Sequence, residues 1–364
     1  MDRRAFLKVS GAAAAAGSLP WSQVLANTTG EWRTYDVTTT VTILKPRGTS
    51  RAWVPLPIVG ETEWQKSIGN DWSGNAAKAQ IHSDGKYGAA ILFAEWRDGE
   101  SAPLIQVTSR FMTRDRAVDL SRPRPDAERL SAAEVAFYTA PTELIPTDGI
   151  VRDTARDIVK GARTDVQKAR AIYEWVVENT FRDPQTRGCG WGDIKTMFET
   201  KNFGGKCGDL NAIFVGLARS AGVPARDVYG VRVAPSIHGY KSLGAGSPVI
   251  SKAQHCRAEF FAQGFGWVPV DPADVRKVVL EEPPGNLAIG DAKVEAARKR
   301  LFGGWEMNWL AYNMAHDVVL PESVVKAPKL PYFMYINGET GGERLDQLEP
   351  DSFKYEIRTS AVKA

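Results

Sequence analysis

Cysteine is scarce in this sequence: three in 364 residues, Cys189, Cys207 and Cys256. That is too few for a disulfide framework, and no spacing among them is the C-x-x-C of a structural zinc site. Charge of one sign is lacking too, since 46 basic residues against 43 acidic ones leave a formal net charge of +3. No run of Lys or Arg is long enough to track a phosphate backbone, which removes nucleic acid as the natural partner. Beyond the N-terminal segment there is no apolar run of the ~18 residues that a membrane span needs.

What is present begins with a leader. Arg3-Arg4-Ala5-Phe6-Leu7-Lys8, an alanine-rich stretch and Val24-Leu25-Ala26 read as an export signal over residues 1–26, of twin-arginine type, with an ordinary secretory signal or an uncleaved anchor as the alternatives. The expected location is the periplasm or another exported compartment. The remaining length exceeds what one core serves, so two domains are expected. From Trp32 the text alternates with period two, Tyr35, Val37, Thr39, Val41 and Ile43 on one face, and similar strands are expected at 51–54, 87–96 and 104–112. These make an antiparallel β-sandwich over 27–120, followed by a linker over 121–149 that opens on Ser121-Arg-Pro-Arg-Pro125.

Past that point the period changes. Val151, Ala155 and Ile158 share one helical face, and Val166, Ala169, Ile172, Tyr173 and Val176 share another, N-capped by Thr164 or Asp165. A third helix is expected to start at Cys207, with Leu210, Ile213, Phe214, Leu217 and Ala218 as its buried stripe and Gly222 and Pro224 as its stop. Strands follow at 227–233, 256–262 and 266–270. The second domain, 150–364, is therefore α+β, and the strand-like text near Val318, 332–336 and 353–357 is expected to complete its sheet.

Cys207 stands in Gly204-Gly205-Lys206-Cys207-Gly208-Asp209 at a helix start, where free N–H groups and positive partial charge favour thiolate over thiol. A buried cysteine acting as a small hydrophobe is the alternative. His255 heads a strand that turns through Gln263-Gly264-Phe265 into Trp267 to Asp271. With an odd loop, opposed residues have numbers summing to 526 or 528, and Asp271 falls opposite or diagonal to His255 on the same face. Cys, His and Asp together supply a nucleophile, its base and the group that fixes the base's tautomer.

Gly188-Cys189-Gly190-Trp191-Gly192-Asp193, Gly205-Lys206-Cys207-Gly208-Asp209, the Phe214 to Arg226 block, His255 and Gly266-Trp267-Val268-Pro269-Val270-Asp271-Pro272 resemble, in order, the core of the transglutaminase-like superfamily. The resemblance implies a papain-like transglutaminase core preceded by the sandwich, Cys207, His255 and Asp271 as catalytic triad, thioester chemistry, no cofactor and no metal. The expected substrate is a peptide, protein or cell-envelope amide, hydrolysed through a Cys207 thioester. Cross-linking by a transglutaminase, or a non-catalytic scaffold keeping the fold, are the alternatives. For the oxyanion hole the Cys207 N–H is the first donor expected and Trp191 the second. Strand parity turns Cys256 away from the His255 face, as a buried inert thiol. Cys189 is either buried or paired with Cys256, and His82, His238 and His316 are surface or local structural residues.

Overall fold

A computed structural model of the chain describes residues 18–19, 30–60, 62–349 and 353–362. The expected export signal lies outside the described residues except for Ser18–Leu19, which pair with the C-terminal strand. Among the described residues no helix is long and apolar enough to cross a membrane.

The sandwich forms because its strands carry one apolar face each. Arg33–Thr42 alternates strictly between buried and half-buried positions, with Tyr35, Val37 and Val41 inside. It pairs antiparallel with Leu104–Thr113, which in turn pairs with Gln65–Gly74. The facing sheet joins Ser50–Pro55, Ala90–Trp96 and Lys78–Ser83. Tyr35, Val37, Ala52, Val54, Leu92, Ile105 and Phe111 belong to one core that runs on into the second domain.

The C-terminal strands correct an expectation. Lys354–Val362 pairs along its length with Arg33–Thr42, and Asn337–Thr340 pairs with Ser50–Pro55. They complete the two sheets of the sandwich, not the sheet of the second domain. Alternating Tyr, Ile and Ala are compatible with either sheet, and it is the exposed edges of Arg33–Thr42 and Ser50–Pro55 that receive them. The segment expected as a linker holds a helix, Ala132–Thr139, started by a Ser131–Glu134 capping box.

The second domain is built on a four-stranded antiparallel sheet in the order Gly266–Val270, Gln254–Ala262, Ala225–Arg232, Trp309–Asn313. Helices Gly149–Ile158, Asp165–Asn179 and Cys207–Ser220 gather on one face. Thr164 is the N-cap of the second, as read from the sequence. The Cys207 helix is the pivot: every residue from Cys207 to Arg219 is buried, and Phe214 meets Phe260 of the sheet. The helix is enclosed on all sides, its polar Asp209, Asn211 and Arg219 included. Its N-terminus therefore sits at a fixed place relative to the strand beginning at Gln254.

Candidate active site

Cys207 is the first residue of that central helix. Its backbone N–H has no hydrogen-bond partner among the described residues, as expected of a first-turn donor. Two glycine-bearing loops are clamped together here. Asp209 Oδ1 accepts from the Gly192 N–H at 2.9 Å, its Oδ2 accepts from the Lys206 N–H at 3.0 Å, and the Gly208 N–H donates to the Cys189 carbonyl at 2.7 Å. Gly190 makes the clamp possible: its φ is +85°, and a Cβ there would stand 1.7 Å from Asp209 Oδ2. Burial, joined by repulsion from a Cys207 thiolate, pushes the Asp209 carboxyl up to about 6 against its backbone hydrogen bonds.

His255 and Asp271 meet through the hairpin register. Ala258 pairs with Val270, Phe260 with Val268 and Ala262 with Gly266, so opposed numbers sum to 528 and Asp271 lies diagonal to His255. His255 Nε2 and Asp271 Oδ2 are 2.7 Å apart, and both residues are buried. Asp271 also caps the helix Pro272–Glu281, its Oδ1 accepting from the Asp274 N–H at 3.0 Å. The cap brings a second carboxylate to the same ring, for Asp274 Oδ1 is 3.4 Å from His255 Nε2. Asp274 is in turn held by Arg232 at 2.6 Å, and Arg257 Nε lies 3.6 Å from Asp271.

The charges balance as a set. Burial and Arg232 act to lower the His255 pKa, but Asp274, Asp271 and Cys207 prevail and raise it to about 9. Asp274 is held well below the usual carboxylate range: burial works against this, and Arg232 and His255 overcome it. Asp271 is raised by burial and by its neighbour Asp274. With Cys207 as thiolate and His255 as imidazolium, Cys207, Asp271 and Asp274 face His255, Arg232 and Arg257, three charges of each sign, while Asp209 beside Cys207 is met by backbone N–H groups.

All three cysteines converge at this point. Their sulfurs lie within 4.8 Å of one another, all three thiols are free, and exposure runs from 0% at Cys256 to 6% at Cys189. The Cys207 thiol is held well below its ordinary value, first by hydrogen bonds from Cys189 and Cys256 and then, against burial, by the charge and hydrogen bond of His255. Burial and the nearby thiolate push the Cys256 thiol up. Cys256 is the buried thiol expected, fully enclosed and with its pKa raised by burial. Parity does turn it from the His255 face, but the even-numbered face of that strand is the one packed on the Cys207 helix. Its sulfur thus comes within 4.8 Å of that of Cys207. Cys189 Sγ also lies 3.4 Å from the Gln254 carbonyl. The three sulfurs form one set close enough to share a soft cation, and His255, Asp271 and Asp274 form another for a harder one.

A cleft of about 690 Å³ opens above Cys207 and His255, walled by Gly244 to Gly246, Val249 to Gln254, Tyr335, Leu348 and Phe353. A larger one, about 1030 Å³, runs between Trp64, Arg116, Glu259 and Trp267 and reaches none of the cysteines. The family model for the transglutaminase-like superfamily matches residues 152–272, the span from the first core helix through Cys207 and His255 to Asp271. An uncharacterized protein of Haemophilus influenzae is 38% identical over 339 residues, covering 88% of this chain and 90% of that one. The chain belongs to the transglutaminase-like superfamily. Among solved structures, a Cytophaga hutchinsonii protein provisionally called a cysteine protease aligns with a TM-score of 0.55 at 12% identity over 92% of both chains, a likeness of fold. The periplasmic domain of TgpA from Pseudomonas aeruginosa aligns with a TM-score of 0.34 at 14% identity, over 77% of this chain and 95% of that domain.

In this transglutaminase-like protein Trp191 does not line the cleft above Cys207. It is 55% exposed and borders a narrow crevice with Gly208 and Tyr332. Of the other histidines, His316 is buried 3.3 Å from Asp227, while the part-exposed His82 and His238 lie 3.1 Å from Glu322 and 3.4 Å from Asp115. Asp274 and Arg232 went unread in the sequence. The signal for Asp274 was there: Asp271-Pro272-Ala273-Asp274 is an N-cap, a Pro at the first helical position and an acid in the first turn. Arg232 carried no such mark.

Proposed function

We propose that this protein is a cysteine-dependent amidase or protease of the cell envelope, working through a Cys207 thioester. The observation that carries the reading is the His255 Nε2–Asp271 contact of 2.7 Å in a ring whose neighbour is a thiol held down as thiolate. With Asp271 ionised, Nε2 carries the proton donated to it, and Nδ1 is left to take the thiol proton. The thiolate sulfur then attacks the amide carbonyl, forming the C–S bond and an oxyanion that the free Cys207 N–H can stabilise. The imidazolium returns its proton to the leaving amine as the C–N bond breaks. Water, deprotonated by the same ring, cleaves the thioester to free acid and restores the thiol. The Arg3-Arg4 leader supports export in folded form.

Hydrolysis is preferred to amine transfer because water needs no second binding site. The test is to incubate mature protein with a peptide-amide library, with and without a labelled primary amine, beside Cys207→Ala. Free acid that depends on Cys207 is the expected product. Amine adducts in place of acid would make the protein a cross-linking enzyme, and the absence of any Cys207-dependent product would leave a scaffold.

A further inference from the structure

The cleft above Cys207 has a charge that the chain as a whole does not. Among the described residues seven Lys and Arg line it and no Asp or Glu does, although basic and acidic residues are nearly matched over the sequence. Part of this charge is neutralised from behind: Arg182 and Lys277 share the Glu281 carboxylate, Arg187 meets Asp346 at 2.7 Å, and Arg232 is committed to Asp274. Lys206, Lys252 and Lys354 have no ion-pair partner among the described residues.

These three lysines come from distant parts of the chain. Lys206 precedes the nucleophile, Lys252 lies in the loop that leads into the His255 strand, and Lys354 opens the C-terminal strand of the sandwich. Three segments thus deliver uncompensated cations to one cleft, whose walls also include Leu348, Phe353 and Tyr355. A cleft of one sign with low-dielectric walls concentrates anions and repels cations. Apolar and aromatic surface beside the charge suits a peptide better than a bare phosphate polymer.

Resting on the reading of this cleft as the acyl-donor site, we infer that the substrate is an acidic peptide, with carboxylates flanking the amide that Cys207 attacks. The test uses full-length Cys207→Ala protein and labelled peptides of equal length bearing Glu, Gln or Lys on both sides of a central amide, read by fluorescence anisotropy. The Glu peptide should bind about tenfold or more tighter than the Gln peptide at about 20 mM salt, lose most of that advantage at about 500 mM, and lose it in Lys252→Glu/Lys354→Glu. In the Cys207 protein, the ratio of alkylation rates at Cys207 by iodoacetate and by iodoacetamide should fall in the same charge-reversal variant. Equal binding of the three peptides, or a ratio that the reversal does not move, overturns the inference. Cys207-dependent turnover of the Gln peptide is scored separately and keeps the amidase reading standing in that event.

Discussion

Asp271→Asn separates the histidine's charge partner from its geometry. Both oxygens of Asp271 are committed, Oδ2 to His255 Nε2 at 2.7 Å and Oδ1 to the Asp274 N–H at 3.0 Å, with Asn211 Nδ2 at 3.4 Å. An amide has one oxygen, so either the ring or the helix cap must face an N–H. Keeping the cap forces the ring proton onto Nδ1, where the thiol needs an acceptor. Keeping the ring loses a cap bond, about 1 kcal/mol. Either way a charge is gone. Opposite charges about 4 Å apart at an effective dielectric of about 20 interact by ~4 kcal/mol, ~3 pKa units. Asp274, 3.4 Å from the same nitrogen, remains and offsets part of this. The His255 pKa should therefore fall from about 9 by about 2 units. NMR of protein labelled at the histidine ring reads this directly, since there are four histidines and His255→Gln assigns the signal. The wild-type value lies above that of an unfolded histidine, so its stabilisation is complete below about pH 6.5 and is lost as pH rises through the folded value. The melting temperature should decline over that interval, and over a narrower one in the variant. A His255 pKa that moves by less than about half a unit in correctly folded Asp271→Asn would refute the assignment of its partner.

Three further outcomes follow from the same geometry. Cys189→Ala and Cys256→Ala should each raise the Cys207 pKa by about one unit or less, because a hydrogen bond to a charge (~1.5–3 kcal/mol) replaces a weaker neutral one; Cys189→Ser should keep the wild-type value, and the pH dependence of iodoacetamide alkylation at Cys207 measures all three. Gly190→Ala, which drives a Cβ into Asp209 at positive φ, should cost about 2 kcal/mol or more, seen as a lowered denaturation midpoint; an unchanged midpoint would contradict the clamp. Deleting residues 353–364 should abolish cooperative melting of the sandwich, although the triad residues are untouched. A truncated protein that melts like the full chain would show that the strand is dispensable.

The parts of this site legible in the sequence are those set by local rules. The His255–Asp271 pairing came from the parity of a three-residue hairpin loop, and the Cys207 helix from a stripe with a glycine frame in front and a stop behind. What escaped depends on which surfaces meet. Parity turns Cys256 from the His255 face but says nothing of which face a helix covers, and that decides whether its sulfur lies near that of Cys207. Gln65–Gly74 and Lys78–Ser83 were missed as strands because their residues are mostly polar and outward-facing, leaving no apolar period to read. Of the C-terminal segments expected as strands, 353–357 runs into Lys354–Val362 but belongs to the sandwich, whereas 333–336 is the irregular stretch between Leu330–Tyr332 and Asn337–Thr340. Pairing across some 310 residues (Thr42 with Lys354) is set by open edges, not by local pattern.

That long-range pairing also sets the order in which the molecule can be made. At about 5–20 residues per second, the Arg33–Thr42 edge waits roughly 15–60 s on the ribosome before Lys354–Val362 is synthesised. The whole papain-like sheet, ending at Asn313, emerges first and can close around the Cys207 helix while the sandwich is still open on both sheets. The Cys207 site is thus assembled inside an unfinished frame, and the frame closes only when Lys354–Val362 arrives. That late strand also brings Phe353, Lys354 and Tyr355 to the cleft wall, so the Cys207 site can form before the wall that borders it is complete.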